Sequence, residues 1–490
     1  MAGAATHLPS FLFSLMHHHH HLLLLSLLLI ATSVGIVHGL EEKKIVALHQ
    51  LLWEDKSTSR ISSPQRTRRE KGATVMEIRH HSHYSGHIES YNDYLKKLLV
   101  SDEARVSSLQ SQISNAASGE VYRDSLQAQI PLTSGAKLQT LNYIVTIGLG
   151  SKNMTVIVDT GSDLTWVQCK PCLYCYNQED PLFDPSTSSY YQAIPCNSTT
   201  CDYLRAASGS TGVCGSDRSS CNYALSYGDG SSSRGVLSRE RIDLGGTTVE
   251  GFIFGCGQNN QGLFGGTSGL MGLGRTQLSL ISQTHDRFGG IFSYCLPTRL
   301  YNSSGSLVLG GDPSVYRNFT PISYTRMILD PQQAPFYFLN LTGVEVGGVA
   351  LQASGFSNGK ILIDSGTVIT RLVPSVYKAL KSEFVRQFSS YPSAPGFSIL
   401  DTCFNLSSYE EVRVPKLRLE FEGGVEVNVD VTGIFYFVKK DASQVCLAIA
   451  SLSYEDEVGI IGNYQQKNHR IVYDTVNLKV GFAEETCSYS

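Results

Sequence analysis

The sequence predicts a mainly β protein built as two related lobes around a shared cleft. Three observations carry this. Two segments are versions of each other: Val156-Ile157-Val158-Asp159-Thr160-Gly161-Ser162 and Ile361-Leu362-Ile363-Asp364-Ser365-Gly366-Thr367. Each is an apolar strand running into Asp, a hydroxyl residue, Gly and a second hydroxyl residue. The strands around them repeat as well: an alternating run over residues 141–150 precedes the first, and Tyr337-Phe338-Leu339-Asn340-Leu341, then Val344-Glu345-Val346-Gly347-Gly348, precede the second. Self-similarity on this scale is a signal of architecture. Finally, Gly (45) outnumbers Pro (16), and Val, Thr, Tyr and Ser recur in short runs, the composition of many short strands joined by Gly-rich turns.

With 490 residues the chain has length for two or three domains. Its charged fraction of 17% is too low for a largely disordered chain. The net charge of −4 carries no electrostatic footprint for nucleic acid.

In chain order, residues 1–39 read as a signal peptide. An almost unbroken apolar run over residues 22–37 ends near Val37-His38-Gly39 and is short for a membrane span. No Lys or Arg precedes it, and His17 to His21 stand where a positive segment is usual, which keeps a signal anchor as the alternative. No second apolar run follows and the end is polar, so no stable membrane span or lipid-anchor tail is expected.

Residues 40–129 differ from the rest. They lack Cys and contain a basic stretch (Lys56, Arg60, Arg66, Arg68, Arg69, Lys71, Arg79) running into His80, His81, His83 and His87. A helix is predicted next, with Ile88, Tyr91, Tyr94, Leu95, Leu98 and Leu99 near one face. This region reads as a removable prosegment whose basic stretch covers an acidic cleft at neutral pH; a structured N-terminal domain or a solvated linker is the alternative. Residues 130–320 and 321–490 form the two lobes, with the boundary between 310 and 335. After Asp364, the Pro374 start and apolar residues at helical spacing through Phe388 predict a second helix.

All 12 cysteines lie between Cys169 and Cys487. An even number confined to the presumed mature part reads as disulfides formed in an oxidising compartment, with connectivity left open by the sequence. Six Asn-x-Ser/Thr sites stand at Asn153, Asn197, Asn302, Asn318, Asn340 and Asn405, each a candidate for glycosylation in a secreted chain.

The chemistry follows from the paired aspartates. Amide hydrolysis needs a base for the attacking water and an acid for the carbonyl oxygen. Two carboxyls close together do not both ionise cheaply, so they share one proton and supply both roles. Their pKa values belong to the pair, and activity at acid pH is expected. Gly161 and Gly366 let the backbone turn at the strand ends. Thr160 and Ser365 carry hydroxyls placed to tie the two loops together, and Ser162 and Thr367 can donate to the outer carboxylate oxygens.

These motifs resemble the pepsin-type aspartic proteases over residues 142–485. Tyr227-Gly228-Asp229-Gly230-Ser231 resembles the tip of the family's substrate-covering flap, with Tyr227 at the flap-tyrosine position and Trp166 at that of its hydrogen-bond partner. Gly269-Leu270-Met271-Gly272-Leu273-Gly274 and Ile460-Ile461-Gly462-Asn463 resemble the strands that thread behind the catalytic loops. Trp166-Val167-Gln168-Cys169-Lys170-Pro171-Cys172-Leu173-Tyr174-Cys175 resembles the plant nepenthesin-like branch. That run has zinc as an alternative, disfavoured by the oxidising compartment and the lack of matching His spacing.

The resemblance implies a bilobal pepsin-like acid protease fold and a secreted, monomeric endopeptidase made as a zymogen. Asp159 and Asp364 would be its catalytic pair, extended peptides its substrates, and pepstatin-type compounds its inhibitors, with no metal or cofactor. It implies the pairings Cys169–Cys172, Cys175–Cys256, Cys196–Cys221, Cys201–Cys214, Cys295–Cys487 and Cys403–Cys446. The expected destination is the apoplast or cell wall, with vacuole, endomembrane and plastid as alternatives. A rival reading is a catalytically inactive pepsin-fold binding protein or glycanase inhibitor, as in some relatives of this branch.

Overall fold

The computed structural model describes residues 42–51, 67–80, 91–118, 142–209, 211–216, 218–227, 231–262, 264–298, 304–330 and 335–487. The signal segment, much of the basic stretch, Gly228 and Asn302 lie outside the described residues.

The same threading occurs twice. In the first lobe, strand Lys152–Asp159 delivers Asp159, the chain turns, and strand Trp166–Gln168 leaves it. Strand Gly269–Gly272 then runs between the two, parallel to the first with Gly272 opposite Asp159, and antiparallel to the second. In the second lobe, strand Gly459–Ile461 pairs in parallel with Lys360–Ile363 and also contacts Thr370–Leu372. The glycines are demanded by this threading. A Cβ on Gly269 would strike the Trp166 carbonyl, and one on Gly462 would lie 2.6 Å from the Val368 carbonyl oxygen. The repeat seen in the sequence is therefore a repeat of topology, and it places the two aspartates at equivalent strand ends. The fold is mainly β and bilobal.

A further sheet joins the lobes. Its strand order is Ser323–Arg326, Lys479–Glu484, His469–Asp474, Ile291–Cys295, Gly305–Leu309 and Ala73–His80, continuing into Tyr143–Leu149. Strand Ala73–His80 comes from the region read as a prosegment, yet it occupies the interior of this sheet, with Val75, Met76 and Ile78 buried. Strand Lys43–Ala47 pairs with Glu411–Pro415 of the second lobe.

For Arg68, Arg69 and Arg79 this arrangement corrects the expectation that the basic stretch covers the cleft. Arg68 and Arg69 lie in strand Thr67–Glu70 of a hairpin, and Arg79 is buried against Glu77 at 2.7 Å. Glu77 and Arg79 are two residues apart on one strand, so they share a face and neutralise each other. Lys56, Arg60, Arg66 and His81, His83 and His87 lie outside the described residues.

The predicted helix extends over Tyr91–Ser118 (α1), well beyond its predicted face at Leu99. Leu95, Leu98 and Leu99 pack with Val368, Ile369 and Leu400, while Val106, Leu109 and Ile113 pack with Phe336, Phe338 and Leu362. The second predicted helix is Pro374–Gln387 (α2), with Pro at its first turn and Val376, Leu380 and Phe384 buried at a four-residue spacing.

Four of the six disulfide pairings implied by the resemblance are corrected. The bonds are Cys169–Cys256, Cys172–Cys175, Cys196–Cys214, Cys201–Cys221, Cys295–Cys487 and Cys403–Cys446. Cys169 follows a strand that runs parallel to Thr248–Gln261 with Val167 opposite Cys256, so Cys256 is its neighbour, with 5.4 Å between Cα atoms. Cys172 and Cys175 are then left to close their own loop. Cys214 and Cys221 are direct cross-strand partners, each bonded outward, to Cys196 and to the buried Cys201 of a short helix.

Candidate active site

Asp159 and Asp364 are both fully buried and meet at the lobe interface. Each carboxylate is held by its own loop in the same way. The Gly161 N–H donates to Asp159 Oδ1 at 3.1 Å and the Ser162 hydroxyl to Oδ2 at 2.6 Å. The Gly366 N–H donates to Asp364 Oδ1 at 2.9 Å and the Thr367 hydroxyl to Oδ2 at 2.6 Å. The loops are tied across the interface by Thr160 and Ser365, each accepting the other's backbone N–H, at 2.9 and 3.1 Å. Ser365 also donates to the Val158 carbonyl at 3.0 Å. Close approach explains both glycines: a Cβ on Gly161 would lie 2.8 Å from Asp364 Oδ1, and one on Gly366 would strike Asp159.

Tyr227, just after strand Cys221–Ser226, accepts the indole N–H of the buried Trp166 at 2.8 Å, and both rings pack on Phe264. Burial raises the Tyr227 hydroxyl well above its ordinary pKa, so it is neutral. Ser162, Leu164, Leu225 and Tyr227 line a cavity together with Ser108 and Gln112 of α1.

No sequence motif points to Arg105, which α1 inserts between the aspartates. Its Nη2 lies 2.6 Å from Asp159 Oδ1 and 2.9 Å from Asp364 Oδ2, and its Nε donates to Asp364 Oδ2 at 3.1 Å. The available signal is sparse: Arg105 is the lone basic residue between Lys97 and Arg123, beside an apolar stripe. The dyad's protonation reflects this contact. For Asp159, burial and the nearby Asp364 outweigh the pull of Arg105 and raise the pKa. For Asp364, burial is outweighed by Arg105, the Thr367 hydroxyl and the Gly366 N–H together, which hold it below the usual carboxylate range.

An α1 carboxylate, also unmarked in the sequence, sits one turn before Arg105. Asp102 accepts the N–H groups of Val368 and Ile369 at 2.6 and 3.1 Å and faces the fully buried Arg371 at 3.1 Å. Burial pushes its carboxyl up, against the pull of Arg371 and of the two amides. Asp163, just after the first loop, is buried beneath the site and accepts the Thr276 N–H at 2.9 Å; burial pushes it up to about 7.

Asn153, Asn197 and Asn318 are exposed, and Asn340 and Asn405 are half-buried. Among the described residues, no three His, Cys, Asp or Glu cluster as metal ligands would.

Family models described as Xylanase inhibitor N-terminal and Xylanase inhibitor C-terminal match residues 143–311 and 336–484. An aspartyl protease family protein of Arabidopsis thaliana is 44% identical over 400 residues, covering 80% of this chain and 82% of that protein. Aspartic proteinase nepenthesin-1 of Nepenthes gracilis is 34% identical over 357 residues, covering 71% of this chain and 78% of that protein. The chain belongs to the pepsin-type aspartyl proteases, in their plant nepenthesin-like branch.

Two solved structures share its fold. That of edgp superposes with a TM-score of 0.56 at 19% identity, covering 71% of this chain and 92% of that one. Basic 7S globulin from soybean gives 0.55 at 21%, covering 71% and 92%. The matched family regions begin at residue 143, so α1 and Arg105 precede the matched protease core.

Proposed function

We propose that this chain is an aspartic endopeptidase made as a zymogen, secreted, and active at acid pH once residues 40–129 leave. The observation that carries the reading is the buried Asp159–Asp364 pair with each carboxylate held symmetrically and a prosegment guanidinium in the place of substrate. With Arg105 present, the carboxylates face a fixed cation and no water or peptide bond reaches them. With Arg105 gone, the pair keeps one proton. The ionised member takes a proton from water as the oxygen attacks the peptide carbon. The neutral member gives its proton to the carbonyl oxygen, and collapse of the tetrahedral intermediate passes a proton to the departing amine. Tyr227, steadied by Trp166, covers the substrate.

Secretion is supported by the leading apolar segment, six disulfides and exposed sequons at Asn153, Asn197 and Asn318. Among the described residues, no helix is long and apolar enough to cross a membrane. A second reading, a pepsin-fold inhibitor of glycanases, draws on the names of the matching family models. The complete dyad and its hydroxyl supports argue for catalysis.

The test is cleavage of a denatured protein by the full chain from acid to neutral pH, with and without pepstatin, beside Asp159→Asn. Cleavage in the acid range that is lost in both controls is expected. A folded chain, freed of its prosegment, that cleaves nothing would favour the inhibitor reading.

A further inference from the structure

We propose that Arg371, with the backbone N–H groups of Val368 and Ile369, forms a subsite for an acidic side chain of the substrate, and that Asp102 fills it as a substrate mimic until α1 leaves. This rests on the zymogen reading above and adds to it a class of substrate: peptides with Asp or Glu close to the bond cut.

The enzyme's own groups build the subsite. Val368 and Ile369 follow directly on the loop that presents Asp364, and their N–H groups converge on one carboxylate at 2.6 and 3.1 Å. Arg371 is two residues further on, in the strand Thr370–Leu372 beside the dyad. Its Nη1 donates to the Ile369 carbonyl at 2.8 Å, an anchor within the lobe that aims the guanidinium at the same point. Both carboxylates that pair with it, Asp102 at 3.1 Å and Glu103 at 3.0 Å, belong to α1. Departure of α1 therefore uncovers a cation and two amide donors, all arranged for a carboxylate.

Position in the cleft separates a subsite from a mere latch for the helix. Asp102 precedes Arg105 by three residues, about 4.5 Å along a helix axis. Arg105 touches the reacting carboxylates themselves. An extended peptide advances about 3.3 Å per residue, so an acidic side chain one or two residues from the scissile bond spans the same distance. Burying Arg371 without a carboxylate would be costly, which favours substrates that supply one.

The test uses the full chain after acid activation, near pH 5, on peptides that differ only by Asp or Glu against Asn or Gln at each of the three positions on either side of the cut. The readout is the ratio of kcat/KM for the acidic peptide to that for its amide analogue, which is independent of overall activity. At one position the wild type is expected to favour the acid by roughly 10- to 100-fold, the range of a charge-assisted hydrogen bond. The ratio should fall to near unity in Arg371→Gln, be largely kept in Arg371→Lys, and invert toward Lys-bearing peptides in Arg371→Glu. A wild-type ratio near unity at every position overturns the subsite, with no variant needed. In that case cleavage of the amide peptides, lost in Asp159→Asn, would leave the protease reading standing. If the activated chain cleaves no peptide at all, the protease reading fails and the subsite fails with it.

Discussion

Ser365 and Thr160 exchange hydrogen bonds across the lobe interface, each hydroxyl accepting the backbone N–H of the other's residue at 3.1 and 2.9 Å. Both are buried, so the amides they satisfy have no water to replace them. Ser365→Ala leaves the Thr160 N–H and the Val158 carbonyl short of a partner. The expected loss is about 1–3 kcal/mol, read as a lower thermal midpoint, together with reduced activity as the dyad geometry loosens. Ser365→Thr keeps the hydroxyl and should retain most of both. An alanine variant as stable as the wild type would mean that the interface is held elsewhere.

Release of α1 should be driven by acid through Arg105. In both dyad carboxyls Arg105 lowers the affinity for protons. The docked state thus binds fewer protons at the dyad than the released state, and docking weakens as pH falls through the dyad's range. Asp102 acts in the opposite sense: burial raises it, so at this group the docked helix gains as pH falls from the raised value toward the ordinary one. Wild-type processing should still accelerate in acid, because Arg105 meets two carboxylates. Arg105→Gln removes that contribution and should process at near-neutral pH with a much flatter profile. Mass spectrometry of the N-terminus across pH reports this; an unchanged profile would place the trigger on another group.

The catalytic loops are legible in the sequence because they are local and duplicated, with every supporting group within three residues of its aspartate. Arg105 and Asp102 are not, since their roles depend on how a whole helix seats across the second lobe. Strand Ala73–His80 is masked by its own charge: Arg79 reads as part of a basic run, but once paired with Glu77 it is buried at a sheet interior. The cysteines illustrate the same limit. Cys169, Cys172 and Cys175 are close in sequence, and only the parallel pairing of Trp166–Gln168 with Thr248–Gln261 decides which of them meets Cys256.

Asp163 should make the folded chain more stable in acid than at neutrality. Its pKa rises from the ordinary value of 3.8 to about 7 on burial. Between these values the folded state holds a proton that the unfolded chain has released, so stability is full below about pH 4 and declines as pH rises toward 7. The decline attributable to this group is on the order of 4 kcal/mol. Asp163→Asn keeps an acceptor for the Thr276 N–H and does not titrate, so its stability should vary less over this window and exceed the wild type's near pH 7. Denaturant unfolding at the two ends of the window measures this. A wild type that gains stability toward neutrality by the same amount as the variant would show that Asp163 is ionised in the folded state.

Tyr227 and Trp166 act as a pair. The Trp166 indole N–H donates to the Tyr227 hydroxyl at 2.8 Å, and Phe264 supports both rings from the side. One neutral hydrogen bond of this kind contributes about 0.5–1.5 kcal/mol. If its role is to hold Tyr227 over the substrate, Tyr227→Phe and Trp166→Phe should each lower kcat/KM by roughly 2- to 10-fold. The two losses should not add, because either substitution alone already breaks the bond. A double variant no worse than the poorer single one supports the pair as one positioning unit. Losses that multiply would assign the two side chains separate contacts with substrate, Trp166 through the wall of the cleft and Tyr227 through the flap.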